Sequence, residues 1–331
     1  VQALLDPDTT VLSYYTVDSV TYAFVISHDN FDALALPFGQ SQLGLSVRLF
    51  RSDEKQAGGL KSLASEILSP LIDQIKTSHV LVIPHNVLNY VPFAALPLPD
   101  GSLFGSKFTV SYLPSASTLE YLAKSPAQPG ELLALGNPTA EGQPPLQYSE
   151  DEVNQAVAAI GGEAFTGKDA TLALVQQKAT DAGIFYVAAH GTFDARSPLF
   201  SALHLASTST DSGLLEAYKI YSLDLTQKTQ LVVLSACDTA VGTLSAGDEF
   251  TGLNRAFLYA GAPSVIATLW SVDDKATQLL MTAFFQRRAK GEPTAQALQS
   301  AQAYLRDYQE DGQTPYSSPY YWAAFILTGQ D

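Results

Sequence analysis

A single cysteine, Cys237, occurs in the 331 residues of this sequence. An internal disulfide needs two thiols and a cysteine-rich zinc site needs several, so both are excluded, and the composition suits a reducing compartment. Basic residues are scarce as well: 18 Lys and Arg face 33 Asp and Glu, a formal net charge of -15. Binding to a phosphate backbone depends on Lys and Arg displacing condensed counterions, so a nucleic acid is not the expected partner. No apolar run approaches the roughly 20 residues of a membrane-spanning helix, and the opening VQALLDPDTT has neither the basic start nor the apolar stretch of a secretory signal. The expectation from these absences is a cytoplasmic, acidic chain with no membrane role and one candidate thiol.

What is present indicates a folded α/β protein. Hydrophobic residues are 46% and charged residues 15% of the chain, far from a disordered composition. Its length exceeds the roughly 150 residues of a typical domain, so two fused halves are expected. The abrupt start at Val1 suggests a piece of a longer polypeptide. Three runs between residues 11 and 36, VLSYYTV, SVTYAFVI and FDALALP, are separated by polar residues and read as an antiparallel meander. Leu60, Leu63, Ile67, Leu71 and Ile75 then recur three and four apart, which predicts a helix over 58 to 76 before the buried strand HVLVIP.

The stretch from Gln128 to Pro145 is the expected seam, with a supporting half over 1–129 and a second half over 130–331. After Ser149 the pattern alternates. Helices near 150 to 160 and 169 to 180 precede the strands GIFYVAAH and QLVVLSAC; a helix near 248 to 260, the strand PSVIATLW and helices over 274 to 290 and 293 to 309 follow, and the last apolar run, including Tyr320, Tyr321 and Trp322, reads as a strand. Such alternation specifies a mostly parallel sheet with helices on both faces.

Chemistry in such sheets gathers at the carboxyl ends of parallel strands. FYVAA ends in His190 and Gly191, and LVVLSA ends in Cys237, 47 residues later. A thiol with an ordinary pKa of about 8.5 needs a base to supply thiolate near neutrality, and histidine is the usual one. The N–H groups of Gly191 and Cys237 are candidates for holding an oxyanion. No third residue orienting the histidine is legible.

The segments GIFYVAAHGTFDARSPLFSALHLAS and LVVLSACDTAVGTLSAGDEFTGLNRAFLYAGAPSVIATLWSVDDKAT resemble the CHAT domain, a caspase and separase relative. HVLVIPHNVLNYVPFAALPLPDG, LLALGNP and PYYWAAFILTG extend the resemblance over nearly the whole chain. It implies a caspase-like fold whose first half is degenerate, a cysteine endopeptidase acting on protein or peptide through His190 and Cys237 without cofactor or metal, and attachment to N-terminal helical repeats of the tetratricopeptide kind. The alternative is a catalytically silent domain that serves as an interaction platform. Relatives carry Thr where this chain has Ala189, and Asp-Gly where it has His85 and Asn86; the strand and the His-Gly turn are nonetheless preserved.

In LWSVDDKAT, the resemblance to separase suggests Trp270, Asp273 and Asp274 as a pocket selecting a basic substrate residue, while Asp273 also suits a helix N-cap. Asp248 and Glu249 suit the cap of another helix, with a role in shaping the active-site loop as the alternative. The string GEAFTGKD matches most of a phosphate-binding loop, but Asp169 stands where Ser or Thr must ligand magnesium, so Gly167 and Lys168 are expected to end a short strand instead. Ser235 and Ser245 lack the Gly-x-Ser-x-Gly setting of a serine nucleophile. His28, His79, His85 and His204 have no partners at metal-ligand spacing and are expected to be ordinary polar histidines.

Overall fold

The computed structural model describes residues 1–52, 59–122, 129–194, 196–237 and 252–329. The meander is present as β1 (Thr9–Thr16), β2 (Thr21–Ser27) and β3 (Phe31–Leu36), paired antiparallel. Two parallel strands follow, β4 (His79–Ile83) on β1 and β5 (Thr109–Tyr112) on β4. The second half supplies β6 (Leu132–Pro138), β7 (Glu163–Gly167), β8 (Ile184–Thr192), β9 (Ala202–His204), β10 (Leu214–Glu216), β11 (Leu231–Cys237), β12 (Ser264–Thr268) and β13 (Phe325–Gly329). Among the described residues they build one sheet, ordered β10-β9-β8-β11-β12-β13-β5-β4-β1-β2-β3, with β6 against β8 and β7 against β6. Both halves of the chain therefore share a sheet. Strand β13 makes the junction, antiparallel to β12 and parallel to β5.

Helices cover both faces, and this explains why the central strands read as unbroken apolar runs. On β8, Tyr186 and Ala188 join a core that extends through Leu12, Phe50, Trp270 and Phe285 into both halves, whereas Phe185, Val187 and Ala189 join a second core with Phe257 and Ala262 on the opposite face. A third, smaller core of Leu5, Val11, Ile83 and Leu113 lies in the first half.

Two elements depart from the expected pattern. The helix expected over 58 to 76 is an α turn Leu60–Leu63, a π turn Ala64–Leu68 and a 3-10 turn Ile72–Gln74. Pro70 has no N–H for a regular helix, and Ser69 N–H instead reaches the Ala64 carbonyl at 2.8 Å. The apolar spacing still does its work, because Leu60, Leu63, Ile67, Leu71 and Ile75 are all buried. The other departure is at Tyr320–Trp322, which is a helical turn rather than a strand. Ser318 caps it with Pro319 in the first position, and the strand begins only at Phe325. The structure also contains a helix, Gln40–Ser52, whose Leu43, Val47 and Phe50 are buried.

At the head of β8, Gly183 lies against Gly130, and a Cβ added at Gly183 would stand 1.9 Å from the Gly130 carbonyl oxygen. Main chain cannot yield as a side chain does. Gly183→Ala is expected to cost about 1–3 kcal/mol, as overpacking does, read as a lower urea midpoint; an unchanged midpoint would show that the two segments separate freely.

Candidate active site

Strands β8 and β11 are parallel neighbours whose register runs from Leu231 opposite Ile184 to Cys237 opposite His190. Residues 47 apart in sequence thus meet at the same rung, at the carboxyl ends of adjacent strands spaced about 4.8 Å apart. Strand alternation places position 237 on the face of 233 and 235, and position 190 on the face of Tyr186 and Ala188. That face is the one covered by the helices Ser149–Ile160 and Asp274–Arg288.

The His190 ring is half-buried, and its Nε2 lies 2.8 Å from the carbonyl oxygen of Pro144. A carbonyl only accepts, so Nε2 carries the hydrogen, and in the neutral ring the lone pair is on Nδ1. Pro144 therefore supplies the orienting group that the sequence did not disclose. It is a main-chain atom in an irregular loop, and no side-chain pattern betrays it. Gly191 is buried and pairs with Leu203 of β9. One residue on, the Thr192 hydroxyl meets His204 Nε2. Burial, and after it the nearby His190, pushes the His204 imidazole below its ordinary value, which keeps His204 uncharged near neutrality.

The other predicted residues have defined places. Trp270 is buried. Its Nε1 donates to the Tyr320 carbonyl at 2.9 Å, its ring meets Phe50 edge-on with centroids 5.5 Å apart, and the Arg51 guanidinium lies 5.5 Å from its centroid. Asp273 is exposed and caps the helix Asp274–Arg288, accepting the Ala276 N–H at 2.9 Å. Asp274 Oδ2 accepts the Tyr148 N–H at 2.9 Å, which joins that helix to the loop carrying Pro144. Gly167 and Lys168 end β7 ahead of the helix Leu172–Lys178, as expected for that string. Asp248, Glu249 and Ser245 lie outside the described residues.

The remaining histidines are engaged in ordinary contacts. His79 bonds Thr9 and Ser111 through its two nitrogens, His85 Nδ1 accepts the Thr16 N–H, and His28 pairs with Asp29 on the surface. Among the described residues, no three His, Cys, Asp or Glu gather as metal ligands. No helix among them is long and apolar enough to cross a membrane.

Beneath the β8 and β11 termini lies a residue not singled out in the sequence. Glu152, only 1% exposed, accepts a hydrogen bond from the Tyr186 hydroxyl through Oε1, and the Ser235 hydroxyl bonds the same pair. A signal for it exists: Ser149, Glu152, Val153 and Ala156 occupy i, i+3, i+4 and i+7 and are all buried. Counting Glu152 by its position on the helix rather than by its charge would have placed it inside.

A mixed sheet with parallel central strands and helices on both faces defines a caspase-like α/β fold. Similarity to solved structures agrees. The separase chain of the Saccharomyces cerevisiae separase–securin complex superimposes with a TM-score of 0.69 over 99% of this chain and 30% of its own length, at 11% sequence identity. The Arg-specific cysteine proteinase gingipain R of Porphyromonas gingivalis superimposes with a TM-score of 0.50 over 88% of this chain and 75% of that one, at 10% identity. The family model of the CHAT domain matches residues 58–330, and the chain belongs to that family. Its fold is thus related to those of cysteine peptidases.

Among curated proteins, tetratricopeptide repeat protein 28 of Mus musculus is 35% identical over 109 residues, and its Homo sapiens counterpart 33% identical over 109 residues. The match takes in 33% of this chain and 4% of either relative's length.

Proposed function

We propose that this protein is a cysteine endopeptidase that cleaves protein or peptide substrates through His190 and Cys237. The observation that carries the reading is the register pairing Cys237 with His190 at the carboxyl ends of β11 and β8. In this scheme Nδ1 of His190 takes the thiol proton, with Pro144 holding the ring from the other side. The thiolate adds to the scissile carbonyl carbon, and the N–H groups of Gly191 and Cys237 receive the charge that develops on oxygen. His190 then protonates the leaving amine as the C–N bond breaks. Water, deprotonated by His190, hydrolyses the thioester and restores the thiol. No cofactor enters the scheme. An exposed carboxylate at Asp273, beside Asp274, is suited to favour a basic residue in the substrate, and tetratricopeptide repeats preceding the domain are the proposed means of recruiting protein partners in the cytoplasm.

The test is direct. Wild type, Cys237→Ala, His190→Ala and Asp273→Ala/Asp274→Ala are incubated with a diverse peptide pool, and new termini are identified by mass spectrometry. Cleavage is expected from the wild type, with loss in both single variants and a weakened preference for basic residues in the double variant. An inert wild type whose Cys237 also alkylates like a free thiol would overturn the peptidase reading in favour of a silent interaction platform.

A further inference from the structure

We propose that Glu152 is a positioning residue for the His190–Cys237 pair, its buried carboxyl locking the helix Ser149–Ile160 onto β8 and β11 directly beneath that pair. The inference rests on the dyad reading and extends it to a group that touches no substrate. Three observations carry it. Glu152 is almost wholly buried, and its two hydrogen-bonding neighbours, Tyr186 and Ser235, sit on the two strands that end in His190 and Cys237. Tyr186 lies four residues before His190 and Ser235 two before Cys237, all on one face. The helix bearing Glu152 also begins directly after the Pro144 loop, so whatever fixes the helix fixes the carbonyl that holds the imidazole.

The surroundings favour the neutral acid. Glu152 Oε2 has no hydrogen-bond partner, and a bare buried carboxylate there would be poorly solvated. From the helix Asp274–Arg288 the facing charge is Asp274, of the same sign, while Lys275 of that helix pairs with Glu310. Strand β8 contributes Tyr186 and β11 Ser235. Strand β6, LLALGNP, has no titratable side chain, and Glu163 of β7 is exposed and paired with Lys178. On its own helix, Glu150 and Asp151 are exposed, Glu150 accepting from Asn137. Burial, opposed by the Tyr186 and Ser235 hydrogen bonds, pushes the carboxyl up to about 8. Ionisation would then set a second negative charge against Asp274 and pull the lock apart.

Because Cys237 is the sole thiol, iodoacetamide reports on it alone. At pH 6, wild type and Glu152→Gln should alkylate within about twofold of each other, the amide retaining an acceptor for Tyr186. Glu152→Leu, with its helical content checked by circular dichroism, should fall about 10-fold, to the His190→Ala rate. Hydrogen exchange over 184–190 and 231–237, corrected for intrinsic rates, should lose about 10-fold protection in the wild type between pH 6 and 9, and much less in Glu152→Gln. A fully reactive, folded Glu152→Leu, or parallel exchange profiles for wild type and Glu152→Gln, overturns the positioning role alone. An unaltered rate in His190→Ala overturns the dyad, and this inference with it.

Discussion

Peptide cleavage by His190→Ala is expected to run roughly 10²- to 10⁴-fold slower than by the wild type, the usual worth of a positioned acid–base group. The imidazole is half-buried at the sheet rim and bonded to one loop carbonyl, so its removal leaves the apolar cores untouched and the loss falls on chemistry rather than folding. Alkylation gives a second reading that needs no substrate. An ordinary thiol with a pKa of about 8.5 is about 0.3% ionised at pH 6, whereas a histidine-paired thiol titrating near 6.5 is about a quarter ionised. Part of that roughly 80-fold advantage is returned, because a less basic thiolate is intrinsically a weaker nucleophile, leaving about 10-fold. The wild type should therefore outpace His190→Ala at pH 6, the two should cross at about pH 7.5, and His190→Ala should be several-fold the faster by pH 9, where both thiols are largely ionised and the more basic thiolate is the better nucleophile. Equal rates throughout would mean that the two side chains do not act together.

The second large effect is on stability. Glu152 is pushed up to about 8 in the folded protein and returns to an ordinary carboxylate value when unfolded. A raised folded value means that the native state holds the proton more tightly. Its contribution is complete below about pH 4.5 and is lost as pH rises through about 8. At about 1.4 kcal/mol per unit, the wild type is expected to lose roughly 3–5 kcal/mol across that window, less whatever the helix N-terminal dipole returns to the ionised form. Glu152→Gln has no proton to give up at this position. Its urea stability, taken relative to wild type, should rise steadily between pH 5 and 8, even if the amide N–H₂ costs something for want of a partner. Parallel curves would show that the carboxyl is already ionised at pH 5.

How far the sequence carried depended on whether side chains or main chain held the information. The parallel strands were legible because burial on both faces forces unbroken apolar runs such as FYVAA and LVVLSA, and the meander because β1 to β3 are separated by short polar turns. Tyr320–Trp322 was misread since aromatic content suggests a strand, whereas the Ser318-Pro319 start committed the local chain to a helical turn. The strand-end places of His190 and Cys237, the proposed pair, were readable from the apolar runs that precede them, and the register that makes them neighbours belongs to the sheet as a whole. Pro144 acts through its carbonyl, which every residue has, so nothing marks it in advance. Glu152 hid behind its charge.

The place of β13 bears on how the molecule is made. It follows every other described strand in the chain, yet it stands mid-sheet between β12 and β5. A nascent chain emerging from the ribosome would carry the first half with β5 unpaired on one side and the second half with β12 unpaired on one side, two open edges of the kind that invite association with other chains. Neither edge closes until Phe325–Gly329 has left the exit tunnel. The Thr328 contact with Tyr112 spans over 200 residues of intervening sequence, which puts the closing step among the late and slow ones. The strand that unites the halves thereby also sets the earliest moment at which the protein is safe from its neighbours.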